Sequence, residues 1–511
     1  MTDWTIRAGL ALLIAAGSAQ AGPRFAPIAA PDHVYDGGWE HFVGGGLAAF
    51  DCDGDHLPEL YAAGGSNPAK LLRNRSTNAT LEFEAATPDA LALTGVIGAY
   101  PLDIDGDGHL DLMILRVGEN RLLRGGPDCS FAAFAAHDLP TGDRWTTAFS
   151  ATWEEGQSLP TLAFGHYVDR SNPDGPFEAC DINHLFRPDG DSYRPAMVLE
   201  PGFCPLSMLF SDWSGTGRAD LRISNDRHYY VKGGEEQLWA MEANPRLFTQ
   251  ADGWQSHQLW GMGIAARDIT GDGRQEVFLT SMADQRLQVL APGGAPRFED
   301  VPYEWGTTAH RPYTGGDGRP ATGWHVQFGD VQNDGRDDVF ITKGNVQQMP
   351  GSAMDDPNNL LIQTDAGFVE AGLEAGLASM HRGRGAVFAD LNGDGLLDVA
   401  VINRRAPLEI WQNVTDTTGT WLAVTLDQPA PNRRAVGAFI EVDTGQRVYL
   451  REITIGGGHA GGSALPAHFG LGDAETVRLR IRWPQGGWSD WMDTQTNQRI
   501  RISPQGEITA Y

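Results

Sequence analysis

The chain has 511 residues, of which 41% are hydrophobic and 20% are charged. This composition can supply a sizeable buried core, and it excludes a disordered or collagen-like chain. Acidic residues number 66 against 38 basic ones, which gives a formal net charge of −28. Such a charge repels phosphate backbones and anionic lipids, so we expect no nucleic-acid partner. The 64 glycines indicate many tight turns.

The first 21 residues have the features of a secretory signal peptide. Arg7 precedes an apolar run at 10–16, and Ala19-Gln20-Ala21 has the small-x-small pattern of a cleavage site. The alternative is an N-terminal helix that stays in the fold. No later apolar run is long enough for a membrane span. We therefore expect a secreted, periplasmic or cell-surface protein that starts at Gly22.

Four cysteines are too few for a disulfide scaffold, but they suit an oxidising compartment. Cys180 and Cys204 fall in one long insertion and are predicted to pair. The pairing of Cys52 and Cys129 stays open at this point.

One short acidic pattern recurs along the chain, at the start of periods that begin at residues 51, 103, 153, 212, 268, 330 and 390. Each copy joins two short apolar runs, and the copy at 153 has lost most acidic positions. The periods have room for four short strands each, which is the size of a propeller blade. The sequence therefore predicts an all-β fold with a seven-bladed β-propeller over residues 22–415. The last period has only three strand candidates, so a segment at Phe25 is expected to complete its blade.

The acidic loops have the composition of cation sites. Side-chain oxygens recur at positions 1, 3, 5 and 9, with glycine at position 4 or 6, and Ca²⁺ binds six to eight oxygens in such flexible loops. An EF-hand is excluded because position 12 of the second loop is Ile114, within a β-run. Solvated acidic turns and Mg²⁺ sites are the alternatives. Five Ca²⁺ sites are predicted, with these ligands: Asp51, Asp53, Asp55 and Glu59; Asp103, Asp105, Asp107 and Asp111; Asp268, Thr270, Asp272 and Glu276; Asp330, Gln332, Asp334 and Asp338; Asp390, Asn392, Asp394 and Asp398.

Two loops depart from the pattern. The loop with Asp212, Ser214, Thr216 and Asp220 keeps two carboxylates and is a doubtful metal site, and the loop after Trp153 is expected to be empty.

From residue 420 to 511 the acidic loops disappear and alternating apolar runs take over, which predicts a small β-sandwich. Trp483, Trp488 and Trp491 could stack on a sugar, or they could serve the core or the domain interface.

These motifs resemble two known families. The acidic hairpins resemble the FG-GAP or VCBS repeats of integrin α-subunit propellers, which implies seven blades with Ca²⁺ between the first and second strands. The tail is similar to the ASPIC/UnbV domain of the cartilage acidic protein family at residues 432–438, 451–459, 468–472 and 481–486.

The loops that precede each inner strand would open on the face opposite the acidic loops. Aromatic and basic residues suited to an interface recur there, namely Trp39, His41, Trp324, His325, His381 and Arg382. We therefore expect an adhesion, protein-interaction or scaffold module whose partner is an extracellular or cell-surface protein or glycan. The alternative is a propeller hydrolase or lyase that acts on carbohydrate at the channel mouth. No catalytic residue is assigned, because the sequence has no G-x-S-x-G, no H-E-x-x-H and no phosphate-binding glycine loop.

Overall fold

A computed structural model describes residues 22–134, 137, 139–173, 178–226, 233–308, 310–416 and 419–511. The predicted signal peptide, residues 1–21, lies outside the described residues. Strands are by far the commonest regular structure among the described residues, as predicted.

Seven antiparallel four-stranded units, here called blades 1 to 7, follow one another along the chain. Blades 2 and 3 are joined into one sheet by a short pairing of Arg144–Trp145 with Val117–Gly118. Each blade has four strands that pair in chain order, except that the fourth strand of blade 7 comes from the N-terminus. Blades 1 to 3 consist of Leu47–Phe50, Glu59–Ala62, Lys70–Asn74 and Phe83–Ala85; Val96–Leu102, Asp111–Gly118, Arg121–Gly126 and Ser130–Ala133; Arg144–Thr152, Thr161–His166, Asn183–Phe186 and Met197–Leu199. Blade 3 therefore contains the degenerate loop after Trp153.

Blades 4 to 7 complete the ring. They consist of Pro205–Ser211, Asp220–Asn225, Gln237–Ala240 and Arg246–Leu247; Gly261–Arg267, Glu276–Ser281, Arg286–Leu290 and Phe298–Asp300; Gly323–Gly329, Asp338–Lys343, Asn359–Thr364 and Gly367–Glu370; Arg382–Ala389, Asp398–Arg404, Glu409–Asn413 and Phe25–Pro27. The first strand of each blade packs on the first strand of the next, and that of blade 7 returns to blade 1. The first strands therefore line a central channel.

The ring is closed by the N-terminal strand. Phe25 pairs with Asn413 and Pro27 with Trp411, in antiparallel register. The Phe25 side chain is buried in a cluster with Phe388, Val399 and Trp411. This pairing confirms the predicted closure and covers an otherwise free sheet edge.

Two disulfides join parts of the propeller. Cys180 and Cys204 are bonded with their Cα atoms 5.0 Å apart, and both flank the outer strands of blade 3. Cys52 is bonded to Cys129 with a Cα separation of 4.8 Å, which ties the loop of blade 1 to the third hairpin of blade 2.

The tail folds as two four-stranded sheets around one apolar core. One sheet contains Thr420–Leu426, Ala467–Gly472, Gln498–Ile502 and Ile508–Ala510, and the other contains Phe439–Asp443, Val448–Glu452, Thr476–Arg482 and Met492–Gln495. The strand Ser463–Ala464 does not join either sheet. It pairs in parallel with Leu47–Phe50 of blade 1, so the tail and the propeller share a sheet.

The remaining regular elements are short. A hairpin of Pro188–Asp189 and Ser192–Tyr193 extends blade 3, and the α-helix is Gly372–Ala375. Single 3₁₀ turns are Trp39–His41, Pro127–Cys129, Gln250–Asp252 and Tyr303–Trp305. Every helix in the described part of the chain is thus too short to cross a bilayer.

Candidate functional site

The acidic loops share one backbone arrangement, which the loop of blade 5 illustrates. The first aspartate, Asp268, accepts hydrogen bonds from the backbone N–H groups of Gly271 (2.7 Å) and Gly273 (3.0 Å). Both glycines have positive φ, so the chain can curl around the carboxylate. The ninth residue, Glu276, accepts from the N–H of Ile269 at 2.9 Å. The loop is therefore curled by its own first and last carboxylates.

The loops of blades 1 and 2 gather their carboxylates most closely. Oxygens of Asp51, Asp53 and Glu59 lie within 4.8 Å of one another, and so do those of Asp103, Asp105 and Asp111. Burial, with added repulsion from neighbouring carboxylates, raises the pKa of Asp103 to about 6 and that of Asp111 to about 8. Asp103 Oδ1 is buried without a hydrogen-bond donor. Crowded oxygen ligands of this kind fit a hard divalent cation.

The fourth carboxylate of each of these two loops points elsewhere. The Asp55 carboxylate accepts the N–H of Leu57 at 2.8 Å. Asp107 pairs with Arg124 at 2.8 Å, and the same guanidinium lies 3.0 Å from Asp105. Arg73 pairs with Asp53 in blade 1. Each of the two clusters is thus flanked by an arginine as well as by its fourth carboxylate.

Among the described residues, the other acidic loops bring no three carboxylates this close. In blade 5, Thr270 donates to Glu276 at 3.3 Å and Asp272 pairs with Arg274. In blade 6, Asp330 accepts the N–H groups of Gln332 and Asp334, while Asp338 accepts that of Val331. In blade 7, Asn392 donates to Asp394 at 2.9 Å, and Asp398 accepts the N–H of Leu391.

In blade 4, the loop with the doubtful metal ligands is held together by its own side chains. Asp212 accepts the N–H of Thr216 at 2.9 Å, Ser214 and Thr216 share a hydrogen bond of 2.8 Å, and Asp220 pairs with Arg218.

The β-sandwich packs on the acidic loops, an arrangement that the sequence analysis did not predict. Arg482 lies 2.6 Å from Asp212 in blade 4, and Arg499 lies 2.9 Å from Asp390 in blade 7. In blade 6, Arg451 pairs with Asp337 at 2.8 Å. The face that carries the acidic loops, here called the acidic face, is therefore an intramolecular interface with the basic side of the tail.

A second part of the tail fills the central channel. Residues 453–466, here called the channel segment, make backbone bridges or pairs with the first strands of blades 1 to 5. In blade 6, the backbone N–H of His459 donates to His325 Nδ1 at 3.1 Å. The His459 ring lies edge-on to Trp324 with centroids 5.0 Å apart. The channel is thus occupied by the chain itself.

This packing corrects part of the predicted partner surface. Trp324 is 0% exposed and His325 is buried, because the channel segment packs against them. Trp324 Nε1 donates to the Gly344 carbonyl at 2.7 Å, and the Arg384 guanidinium lies over its ring. Neither side chain can reach a partner at the surface.

The remaining residues of that surface lie on the face opposite the acidic loops, here called the distal face. Trp39 is 39% exposed and packs edge-on against the buried Trp145. His381 is exposed and lies 3.3 Å from Glu409, whereas Arg382 and His41 are half-buried. Tyr313 and Met380 are further exposed hydrophobic residues, which sequence reasoning missed because no repeat position marks them.

Trp483 packs against the core of the sandwich, and Trp488 and Trp491 contact an arginine. The Arg480 guanidinium lies 4.6 Å from the ring centroid of Trp488 and 4.5 Å from that of Trp491. These cation–π contacts hold the two rings beside the sandwich, while Trp488 stays 39% exposed.

Comparison with known families supports both resemblances. The family described as "ASPIC and UnbV" matches residues 428–509, and the "FG-GAP-like repeat" family matches residues 51–114 and 268–341. The chain therefore contains FG-GAP-like repeats and an ASPIC and UnbV domain, as predicted.

The similarity to single proteins extends over most of the chain. Cartilage acidic protein 1 of Mus musculus is 24% identical over 486 residues, which cover 86% of this chain and 70% of the relative. The human protein of that name is 27% identical over 483 residues, which cover 86% and 69%. Among solved structures, BBS1N in complex with ARL6DN aligns with a TM-score of 0.46 and 10% identity, over 77% of this chain and 98% of that chain. The propeller assignment rests on the sheet order described above.

Proposed function

We propose that the protein is an exported, calcium-stabilised β-propeller that binds an extracellular or cell-surface protein or glycan through its distal face. One observation carries this proposal. The tail covers the acidic face and fills the channel, so the distal face is the end of the ring that keeps exposed aromatic and charged side chains such as Trp39 and His381. Exposed aromatic residues beside charged ones suit a binding surface.

The calcium part of the proposal rests on the loops of blades 1 and 2. Their clustered carboxylates, with an unpaired Asp103 Oδ1, supply the hard oxygen ligands that Ca²⁺ requires. A bound cation would offset the repulsion among these carboxylates and hold the loops in the curled form. The sites of blades 5 to 7 stay predictions, since their carboxylates are less tightly gathered.

The alternative, a carbohydrate-acting hydrolase or lyase at the channel mouth, receives less support. Its active site would need titratable groups that substrate can reach within the channel. His325 and His459 are instead buried against each other and against the channel segment. The similarity to cartilage acidic protein 1, which is named for an extracellular tissue, supports the extracellular setting of the proposal.

The test is capture of exported proteins and of arrayed glycans by the purified protein in millimolar Ca²⁺. Replacing Trp39, His381 and Arg382 together by alanine is expected to abolish capture and to leave the melting temperature nearly unchanged. Val448→Ala is the matched control, because Val448 is also 39% exposed but lies on the tail. Undiminished capture by the folded triple variant would contradict the distal face, and turnover of a polysaccharide would favour the enzyme.

A further inference from the structure

A cavity of about 720 Å³ lies between the acidic face and the tail, outside the distal face. Its propeller side is formed by the ends of first strands and by the loops of blades 1, 2 and 7, and its roof is formed by the β-sandwich. The rim includes Gly54, Gly108 and His109, which are exposed. A cavity of this size suits a small organic ligand.

One part of the wall is apolar. Leu102 and Phe388 contribute from the propeller, and Leu426 and Val436 contribute from the tail. All four side chains are buried and uncharged. This part of the wall would accept a hydrocarbon or aromatic body.

The rest of the wall carries hydrogen-bond donors that lack acceptors. Trp153 Nε1, Arg267 Nε and Arg451 Nε are buried without a partner in the described structure. Arg434 also lines the cavity and is half-buried; it makes no ion pair or hydrogen bond to the described residues, although Asp103 and Asp51 act on it electrostatically. Buried donors without acceptors are rare and costly, so those of Trp153, Arg267 and Arg451 point to a bound group or to water.

We infer that this cavity binds a small amphipathic organic anion, with its carboxylate or sulfonate on Arg434 and its apolar body against Leu102, Leu426 and Val436. A planar guanidinium with free N–H groups is suited to such an anion. Trp153 comes from the blade that has lost its acidic loop, and the described residues of that loop form no carboxylate cluster that would oppose an anion.

Six carboxylates also line the cavity and would repel an anion, namely Asp51, Asp53, Asp103, Asp128, Asp390 and Glu452. Asp128 is paired with Arg73 and Asp390 with Arg499, and Glu452 accepts hydrogen bonds from Ser211, Gln275 and the backbone N–H of Asp212, which leaves the carboxylates of the loops in blades 1 and 2. Cations in these two loops would neutralise Asp51, Asp53 and Asp103, and this point rests on the proposed calcium sites. The binding test is therefore carried out in millimolar Ca²⁺. Anion binding that persists after Ca²⁺ is chelated would still support the anion site in the cavity. It would contradict only the dependence of that site on bound Ca²⁺.

The first probe is 1-anilinonaphthalene-8-sulfonate, whose fluorescence rises when its aromatic rings leave water. We expect saturable binding of one molecule per chain, weakened at least tenfold by Arg434→Gln. Arg433→Gln removes the same charge from the adjacent residue, whose side chain is exposed and does not line the cavity, so it should leave binding unchanged. Equal binding by wild type and Arg434→Gln, or equal losses in both variants, would overturn the inference.

A second measurement needs no variant and stays decisive if Arg434→Gln fails to fold. Octanoate is expected to displace the dye from the wild-type protein at concentrations at least tenfold lower than octanol, which has the same chain without the charge. Equal displacement by both would show an apolar cavity without an anion site. Absence of any saturable dye binding would show a cavity that holds only water.

Discussion

The ninth carboxylate of each acidic loop is a structural residue as well as a candidate ligand. In blade 2, Asp111 accepts the N–H of Ile104 at 2.9 Å and that of Gly125, in the third strand, at 2.8 Å. It is fully buried and joins the loop to the sheet. Removing it would leave two N–H groups unpaired, so its loss would lower stability with or without a cation. Asp105 is better suited to separate the loss of a Ca²⁺ ligand from the loss of structural hydrogen bonds, because it is only half-buried.

Asp105→Ala is expected to remove one Ca²⁺ per chain and to lower the melting temperature in millimolar Ca²⁺. The reason is that binding to the native state alone stabilises that state, so loss of the ion removes this gain. Elemental analysis after dialysis gives the stoichiometry, and calorimetry gives the melting temperature.

Asp89→Ala is the matched control, since Asp89 is an exposed acid outside the loops. It should retain the full Ca²⁺ content. With chelator present, Asp105→Ala and wild type should melt at nearly the same temperature. Unchanged Ca²⁺ content in Asp105→Ala would contradict the site in blade 2.

At the scale of elements, glycines in the first strands admit the channel segment. A Cβ atom on Gly98, in blade 2, would lie 1.5 Å from the carbonyl oxygen of Ala460, and one on Gly46, just before blade 1, would lie 1.9 Å from the same atom. Backbone meets backbone at both places, so no side-chain rotation could relieve the clash. The small residues that lead into the acidic loops thus have a packing role.

Gly98→Ala is therefore expected to displace the channel segment while the blades stay folded. Amide hydrogen exchange within residues 455–464 should become at least tenfold faster, because these N–H groups lose their partners on the first strands. Gly351→Ala is the control, since a Cβ atom there meets nothing within 4 Å. Unchanged exchange in Gly98→Ala would show that the segment is not held in the channel.

At the scale of the whole molecule, the propeller and the tail are interlocked. The tail contributes a strand to blade 1, a segment to the channel and arginines to the acidic loops. Part of the excess negative charge is thus neutralised inside the molecule. Two buried histidines, His325 and His459, lie where the two parts meet.

Stability should fall with acid because of these histidines. Burial lowers the pKa of His325 to about 4 and that of His459 to about 3, with a further contribution from Arg384 at His459. An unfolded histidine titrates near 6.5, so below that pH the unfolded chain takes up protons that the folded chain refuses. The contribution of the two neutral histidines to stability is present above about pH 6.5 and is lost as the pH falls towards 4.

His459→Gln is expected to make the unfolding free energy less dependent on pH, by about 1.4 kcal/mol per pH unit between pH 6 and 4. Comparison with wild type is needed because buried carboxylates such as Glu452, with a pKa raised to about 7, act in the opposite sense. His109→Gln, at an exposed histidine, is the control. If the unfolding free energies of wild type and His459→Gln change with pH in the same way, His459 is not buried in its neutral form.

The sequence by itself determined the number of blades, the position of each acidic loop and the closing strand at Phe25. These features depend on local pattern, since a repeat of small, apolar and acidic residues forms the same hairpin wherever it recurs. The degenerate third copy and the β-sandwich were also recovered from local periodicity. The disulfide of Cys52 and Cys129 was not, because it depends on how two neighbouring blades meet.

Only the tertiary structure decided which surfaces are free. The glycine-rich stretch before His459 belongs to a tail motif, but nothing in its sequence pattern places it inside the channel. That placement buries Trp324 and His325, and the docking of the tail covers the acidic face. Burial between distant parts of a chain depends on contacts that hydrophobic periodicity does not encode. The exposure of these side chains therefore follows only from the folded molecule.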